Sequence, residues 1–160
     1  MLQDNQTFFK ISYAVFILSM LMQFSSVTII PGSVLIIVAL LMIYYRRKKL
    51  GGSDFESHAT WLIRTFWIGG SLWLPLLTVA GSVIFALNMD LSKIAAANDR
   101  GEILSEQQIM SVMMNENGAL LKNIFYSVAG IFALWWLCRL WQGFNALRRG
   151  QEVKNPQRYF

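Results

Sequence analysis

Residues 11–45 carry no charged side chain, are largely apolar, and stop abruptly at Arg46-Arg47-Lys48-Lys49. A second uncharged stretch covers 65–89, and a third apolar stretch covers 119–141 with Lys122 and Arg139 towards its ends. About 20 apolar residues are needed for a helix to cross a hydrocarbon core roughly 30 Å thick, so each stretch predicts membrane-spanning helix. As a single helix, 11–45 would be roughly 50 Å long at about 1.5 Å per residue, too long for one ordinary crossing. Pro31-Gly32 lies inside it, and that pair breaks helices and makes tight turns. The pattern therefore predicts an all-α, polytopic membrane protein with four transmembrane helices, at about 9–30, 33–45, 65–89 and 119–141. The second is short, but Arg46 to Lys49 extend its reach by snorkelling to the interface. The rival has three spans, with Pro31 a kink in the first and the N-terminus outside.

Between the second and third spans the pattern changes. Ser53-Asp54-Phe55-Glu56 fits a capping box, and Phe55, Ala59, Leu62 and Phe66 recur at helical spacing. This predicts an amphipathic helix over 53–64, lying along the cytoplasmic surface after the flexible Gly51-Gly52. The segment 90–117 reads as exterior. It holds a turn at Asn98-Asp99-Arg100-Gly101, then Ile103, Gln107, Met110 and Met114 at helical spacing, which predicts a short amphipathic helix, a cap on the rim or an adaptable contact surface. Residues 143–160 form a cytoplasmic tail, an amphipathic extension to Gly150 followed by basic charges and Pro156, held to an anionic leaflet by electrostatics. Pro75 is expected to kink the third span.

Charge fixes the expected orientation. The segment 90–117 holds Asp90, Asp99, Glu102, Glu106 and Glu116 against Lys93 and Arg100, while Arg46 to Lys49, Arg148, Arg149, Lys154 and Arg158 belong on one side. The positive-inside rule then puts both termini in the cytoplasm. Of the 160 residues 55% are hydrophobic and only 14% charged, and mean hydropathy is +0.44, a balance that points to lipid. The net charge of +5 flanks apolar runs, so it argues for orientation and against nucleic acid as a partner. A lone Cys138 excludes an intramolecular disulfide and a cysteine metal cluster. The first residues, MLQDNQTFFK, lack a basic n-region and a small-residue cleavage site, so no removed signal peptide is expected.

Little catalytic chemistry is written here. No Asp, Glu, Lys or His falls in the core of a predicted span, and no H-E-x-x-H, G-x-S-x-G or Walker loop occurs. An enzyme is not expected, nor a metal or other cofactor. The candidate lipid or partner contacts are His58, Trp61, Arg64, Trp67 and Arg139. His58 and Arg64 point about 120° apart on a helix and need not touch. His58, the only histidine, is read mainly as an anchor to a loop backbone group or to headgroups, and secondarily as a pH-sensitive contact. Arg64 and Arg139 are read first as boundary residues snorkelling to phosphates, and otherwise as a basic pocket for anionic lipid. Thr78, Ser82 and Ala86 on the third span, with Ala129 and Ala133 on the fourth, form a candidate helix-packing face of small residues. Gln23, Ser25, Ser26 and Thr28 put a polar patch near the outer end of the first span, for interhelical bonding or a narrow path.

Pro31-Gly32, the basic stop at Arg46, Gly51 and Ser57-His58-x-x-Trp61-x-Ile63-Arg64-Thr65-Phe66-Trp67, with Trp141-x-Gly143, Gly150 and Asn155-Pro156, form one pattern. It resembles small bacterial four-helix membrane proteins of uncharacterised function, distantly related to the small membrane subunit of the chloroplast inner-envelope protein translocon. The resemblance implies a four-helix fold in the bacterial inner membrane with both termini inside, and implies no activity. The functional expectation is a non-enzymatic scaffold, accessory subunit or assembly factor for other membrane proteins. A channel or transport component, or an anionic-lipid-binding protein, are the alternatives. Expected partners are membrane lipids and another membrane protein or a second copy.

Overall fold

The computed structural model describes residues 2–154 and 156. Among them there is no strand. The helices are α1 (Leu2–Met22), α2 (Ile29–Arg47), α3 (Asp54–Ile68), α4 (Leu74–Asn88), α5 (Ser92–Asp99) and α6 (Glu106–Arg148). A five-residue π turn, Gly69–Trp73, joins α3 to α4, so Asp54–Asn88 runs as one helix. Three helices are long and apolar enough to cross a membrane: Ile29–Arg47, Asp54–Asn88 and Glu106–Arg148.

The chain divides into two compact units. The first combines the residues up to Trp73 with those from Ala133 onward, and the second is Leu74–Phe132.

In the first unit, α1 and α2 each bury one stripe. On α1 the stripe is Phe9, Ser12, Tyr13, Phe16, Ser19 and Met20, the three-and-four spacing that keeps side chains on one helical face. On α2 it is Gly32, Ala39, Leu40 and Ile43, while Val34, Ile37, Leu41 and Met42 point away from the protein. Such outward apolar faces suit hydrocarbon. The hairpin of α1 and α2 is pinned at both ends. At one end Arg46 donates from Nε and Nη2 to Asn5 Oδ1 at 3.2 and 2.9 Å, with its guanidinium 4.4 Å over the Phe8 ring. At the other, Gln23 Nε2 donates to Ser33 Oγ at 3.3 Å. Gly32 is buried there because an added Cβ would lie 2.7 Å from Met22 Cβ.

The turn between these helices is 23–28, not Pro31-Gly32. Pro31 instead occupies the first turn of α2, where an N–H has no intrahelical partner to lose. Gln23, Ser25, Ser26 and Thr28 are thereby the connection itself. Thr28 Oγ1 donates to the Met22 carbonyl at 2.8 Å, closing the end of α1.

The surface helix expected over 53–64 is not a separate element. Its start is as expected, with Ser53 in extended backbone before Asp54. The reciprocal capping box does not form: Ser53 Oγ donates to the Leu50 carbonyl at 2.7 Å, and Glu56 accepts from Gly52 N–H at 3.0 Å. Past that start α3 carries His58, Ala59, Trp61, Leu62, Ile63, Thr65 and Ile68 into the core. More than one face of α3 is apolar, so several neighbours cover it. Pro75 acts through the π turn. It has no N–H for the Ser71 carbonyl, and the helix widens immediately before it. Ser71 Oγ bonds back to the Trp67 carbonyl within the same stretch.

The second unit packs α4 on part of α6 through Gly81. A Cβ there would sit 3.1 Å from Ile124 Cγ2 and 3.3 Å from Val128 Cγ2. Thr78, Ser82 and Ala86, the expected packing face, are exposed, while Ala129 and Ala133 are half-buried. Thr78 bonds its own helix, Oγ1 donating to the Leu74 carbonyl at 2.8 Å. The close approach needed the one residue of the turn without a side chain. After α4, buried Asn117 pairs with both main-chain groups of Asp90, accepting its N–H at 2.6 Å and donating to its carbonyl at 3.0 Å. The Asp90 carboxylate in turn accepts the Ser92 N–H, which holds its pKa below the ordinary value. Its contribution to stability is fully present above the unfolded carboxylate range and is lost as pH falls through the lower folded value. The turn expected at 98–101 is present, with Gly101 at φ +72 and Arg100 bonded to Glu102. The segment 90–117 is largely helical, because α6 begins at Glu106 and not near 119. At roughly 65 Å, α6 is about twice the thickness of a hydrocarbon core.

Gly81→Leu is expected to destabilise the protein by about 1–3 kcal/mol through overpacking against α6. Thr78→Leu and Ser82→Leu should each stay within about 0.5 kcal/mol. Thermal or denaturant unfolding in one detergent compares the three, and equal losses would disprove the glycine contact.

Candidate functional site

The polar chemistry of the first unit gathers where α1, α3 and the second half of α6 meet. It is built on residues at helical spacing: Phe9, Tyr13 and Phe16 on α1; His58, Trp61 and Thr65 on α3; Trp136, Arg139, Leu140, Gly143 and Leu147 on α6. All are buried.

Arg139 is the centre. It is 3% exposed, not the boundary residue expected from its position between two tryptophans. Its Cζ lies 3.9 Å from the centroid of the Trp61 ring and 5.8 Å from that of Trp135, so the cation rests on aromatic faces. Its Nε donates to Thr65 Oγ1 at 3.0 Å. Thr65 donates in turn to the Trp61 carbonyl at 2.7 Å. The Trp61 indole N–H donates to the Arg139 carbonyl at 2.9 Å. Two helices are thus joined by a closed circuit in which every step has a donor and an acceptor. Arg64, half-buried on α3, is close enough to Arg139 for their charges to repel.

Gly143 makes the circuit possible. A Cβ there would collide with the Tyr13 hydroxyl and lie 2.6 Å from Trp61 Cδ1. Gly69 plays the same part at the start of the π turn, since a Cβ would sit 2.7 Å from Trp136 Cζ3. Phe16 stacks on Trp136 with ring centroids 6.2 Å apart, and Tyr13 meets Phe144 edge-on at 6.1 Å.

One turn away, His58 is 2% exposed and touches three segments. Its Nδ1 lies 3.2 Å from the Tyr13 hydroxyl and its Nε2 lies 3.1 Å from the Gln151 carbonyl. The expectation that His58 anchors a loop backbone group is met. The tail beyond α6 is therefore docked by specific contacts and not by surface charge alone. The Val153 N–H donates to Ser57 Oγ at 3.1 Å, and the Val153 side chain is buried. Gly150, at φ +66, ends α6, and the Gln151 N–H returns to the Ala146 carbonyl at 3.0 Å. Asn155 and Arg158, also assigned to the tail, lie outside the described residues.

Of the five candidate contacts, the structure brings His58, Trp61 and Arg139 into this cluster, with Arg64 at its margin. Trp67 is apart, 52% exposed, its indole donating to the Tyr44 hydroxyl at 2.9 Å. That suits the interfacial position expected of it. The sequence reading missed Tyr13 and gave Thr65 and Gly143 no role. Tyr13 shares a heptad-like stripe with Phe9, Phe16 and Met20, and that spacing was the available signal. No group of three or more His, Cys, Asp or Glu that could hold a metal occurs among the described residues. Buried polar side chains in this cluster bind one another, an arrangement suited to fixing helices and a tail.

Gly143→Ala should cost about 1–3 kcal/mol, because two rings on different helices would have to move. Gly118→Ala, where an added Cβ meets nothing within 4 Å, should be neutral or stabilising by about 0.5–1 kcal/mol. Unfolding midpoints of the two variants test this directly. Compared with known protein families, curated proteins and solved structures, the chain matches none.

Proposed function

We propose that this chain is a non-enzymatic, multi-pass membrane protein that serves as a scaffold, accessory subunit or assembly factor for other membrane proteins. The observation that carries this reading is the use of its buried polar groups. His58, Thr65 and Arg139, the side chains best equipped for chemistry at depth, are engaged in bonds between helices and to the tail. α2 and α4 each carry long outward apolar faces, suited to lipid or to the helices of another protein.

In this reading α1, paired with α2 as a hairpin, makes a fourth crossing beside the three long apolar helices. The membrane is the bacterial inner membrane, with both termini cytoplasmic. The basic end of α2 and the basic residues after α6 then share one side, and the acidic segment 90–117 takes the other. Kinship with the translocon-related proteins is part of the same proposal.

Gentle purification of the tagged protein from its native membrane, read by mass spectrometry, should recover one other membrane protein in near-equal amount. Recovery of the protein alone would overturn the scaffold reading. Topology is tested in a Cys138→Ser background. Ser105→Cys should react with a membrane-impermeant maleimide on intact cells, and Lys154→Cys only after permeabilisation. The opposite labelling pattern would reject the orientation.

A further inference from the structure

The contacts of His58 fix which nitrogen carries its proton. The Gln151 carbonyl can only accept, so Nε2 must donate to it. Nδ1 is then the acceptor, and the buried Tyr13 hydroxyl donates to it. The imidazole is held neutral by one donor and one acceptor, each from a different segment. A second proton on Nδ1 would face the hydroxyl hydrogen of Tyr13. That hydroxyl would have to turn away among the rings of Phe144, Trp61 and His58, giving up the bond it donates to the imidazole.

The same imidazole holds the tail. Residues 151–153 meet α3 through the His58–Gln151 contact, the Val153 N–H on Ser57 Oγ, and the buried Val153 side chain. Beside the imidazole is a cavity of about 50 Å3, lined by Gln6, Asp54, His58, Leu147 and Gln151. It has room for water, hence for proton exchange with the outside.

We propose that His58 is a proton-operated latch, which keeps the tail against α3 when neutral and releases it when protonated. The groups facing it decide the sign. From α1 it meets Tyr13, Phe9 and Gln6; from α6, Leu147; from the tail, Gly150 and Gln151. Asp54, on its own helix one turn back, is the charged group acting on it. Asp54 remains beside His58 whether the tail is docked or not, so it favours the proton in both states. Docking favours only the neutral ring. The undocked form therefore binds more protons, and falling pH shifts the balance towards release. With an undocked imidazole near the ordinary value of about 6.5, the docked population should weaken as pH falls below that value, by at most roughly thirtyfold at about pH 5.

The test uses the whole chain in detergent micelles or nanodiscs. His58 is the only histidine, so one set of imidazole 15N resonances reports its protonation without assignment. Exchange of the Val153 amide, corrected for the intrinsic pH dependence, reports docking. Protection of Val153 is expected to fall in step with the His58 titration between about pH 7 and pH 5. In His58→Gln, which keeps a neutral donor, protection should not vary with pH across that range. Unchanged Val153 protection through the His58 titration overturns the latch. An unchanged pH-dependent loss in His58→Gln overturns it equally. If that variant does not fold, agreement or disagreement of the two wild-type titrations decides alone.

Discussion

Withdrawing a guanidinium from water costs several kcal/mol unless its charge and its N–H groups are met where it goes. Arg139 satisfies both needs with groups of α3: the Trp61 ring faces its charge, and Thr65 accepts from its Nε. The return bond, from the Trp61 indole to the Arg139 carbonyl, leaves little freedom in how α3 and this part of α6 meet. Much else in the first unit follows from that fixed approach. Gly143 must be a glycine because the Tyr13 hydroxyl and the Trp61 ring already fill its surroundings. Gly69 is buried against Trp136 for the same reason. The stripe of α1 then has aromatic partners at each turn, with Tyr13 against Phe144 and Phe16 against Trp136.

Helices long and apolar enough to cross a membrane were readable because lipid imposes a simple demand, long uncharged runs closed by basic residues. The start of α3 and the glycine turn after α5 were readable because caps and positive-φ turns are local. Boundaries between spans were not. Pro31 looks like a break in any linear reading, yet at the first turn of a helix it costs nothing, and the true turn used less conspicuous residues at 23–28. Helix around Gln107, Met110 and Met114 was readable from their spacing, but its continuity with the last span was not, because the turns between are polar and a hydropathy argument does not see helix outside the apolar core.

The cluster was half visible. His58, Trp61, Arg64 and Arg139 stood out as polar or amphipathic groups near span ends, but their burial was not evident from that placement. An arginine flanked by tryptophans reads the same whether it snorkels to phosphate or lies on an indole face. The partner helix decides, and no local pattern names it. The small-residue spacing did not name the contact between α4 and α6, for a related reason. Spacing marks where backbones can approach, whereas Gly81 and not Thr78, Ser82 or Ala86 lies where α4 meets Ile124 and Val128.

The first unit is assembled from stretches separated by the whole of Leu74–Phe132. At a synthesis rate of about 5–20 residues per second, roughly 3–12 s pass between the emergence of Trp73 and that of Ala133. During that interval α1, α2 and α3 are available to one another, and their hairpin and mutual contacts can form. Trp61, Thr65 and Tyr13 meanwhile lack the α6 side of their environment, and His58 lacks the tail. The nascent protein therefore passes through a stage in which the Trp61 indole N–H and His58 Nε2 lack the partners they hold in the finished fold. Those partners arrive only when translation has moved past Arg139 and on to Gln151.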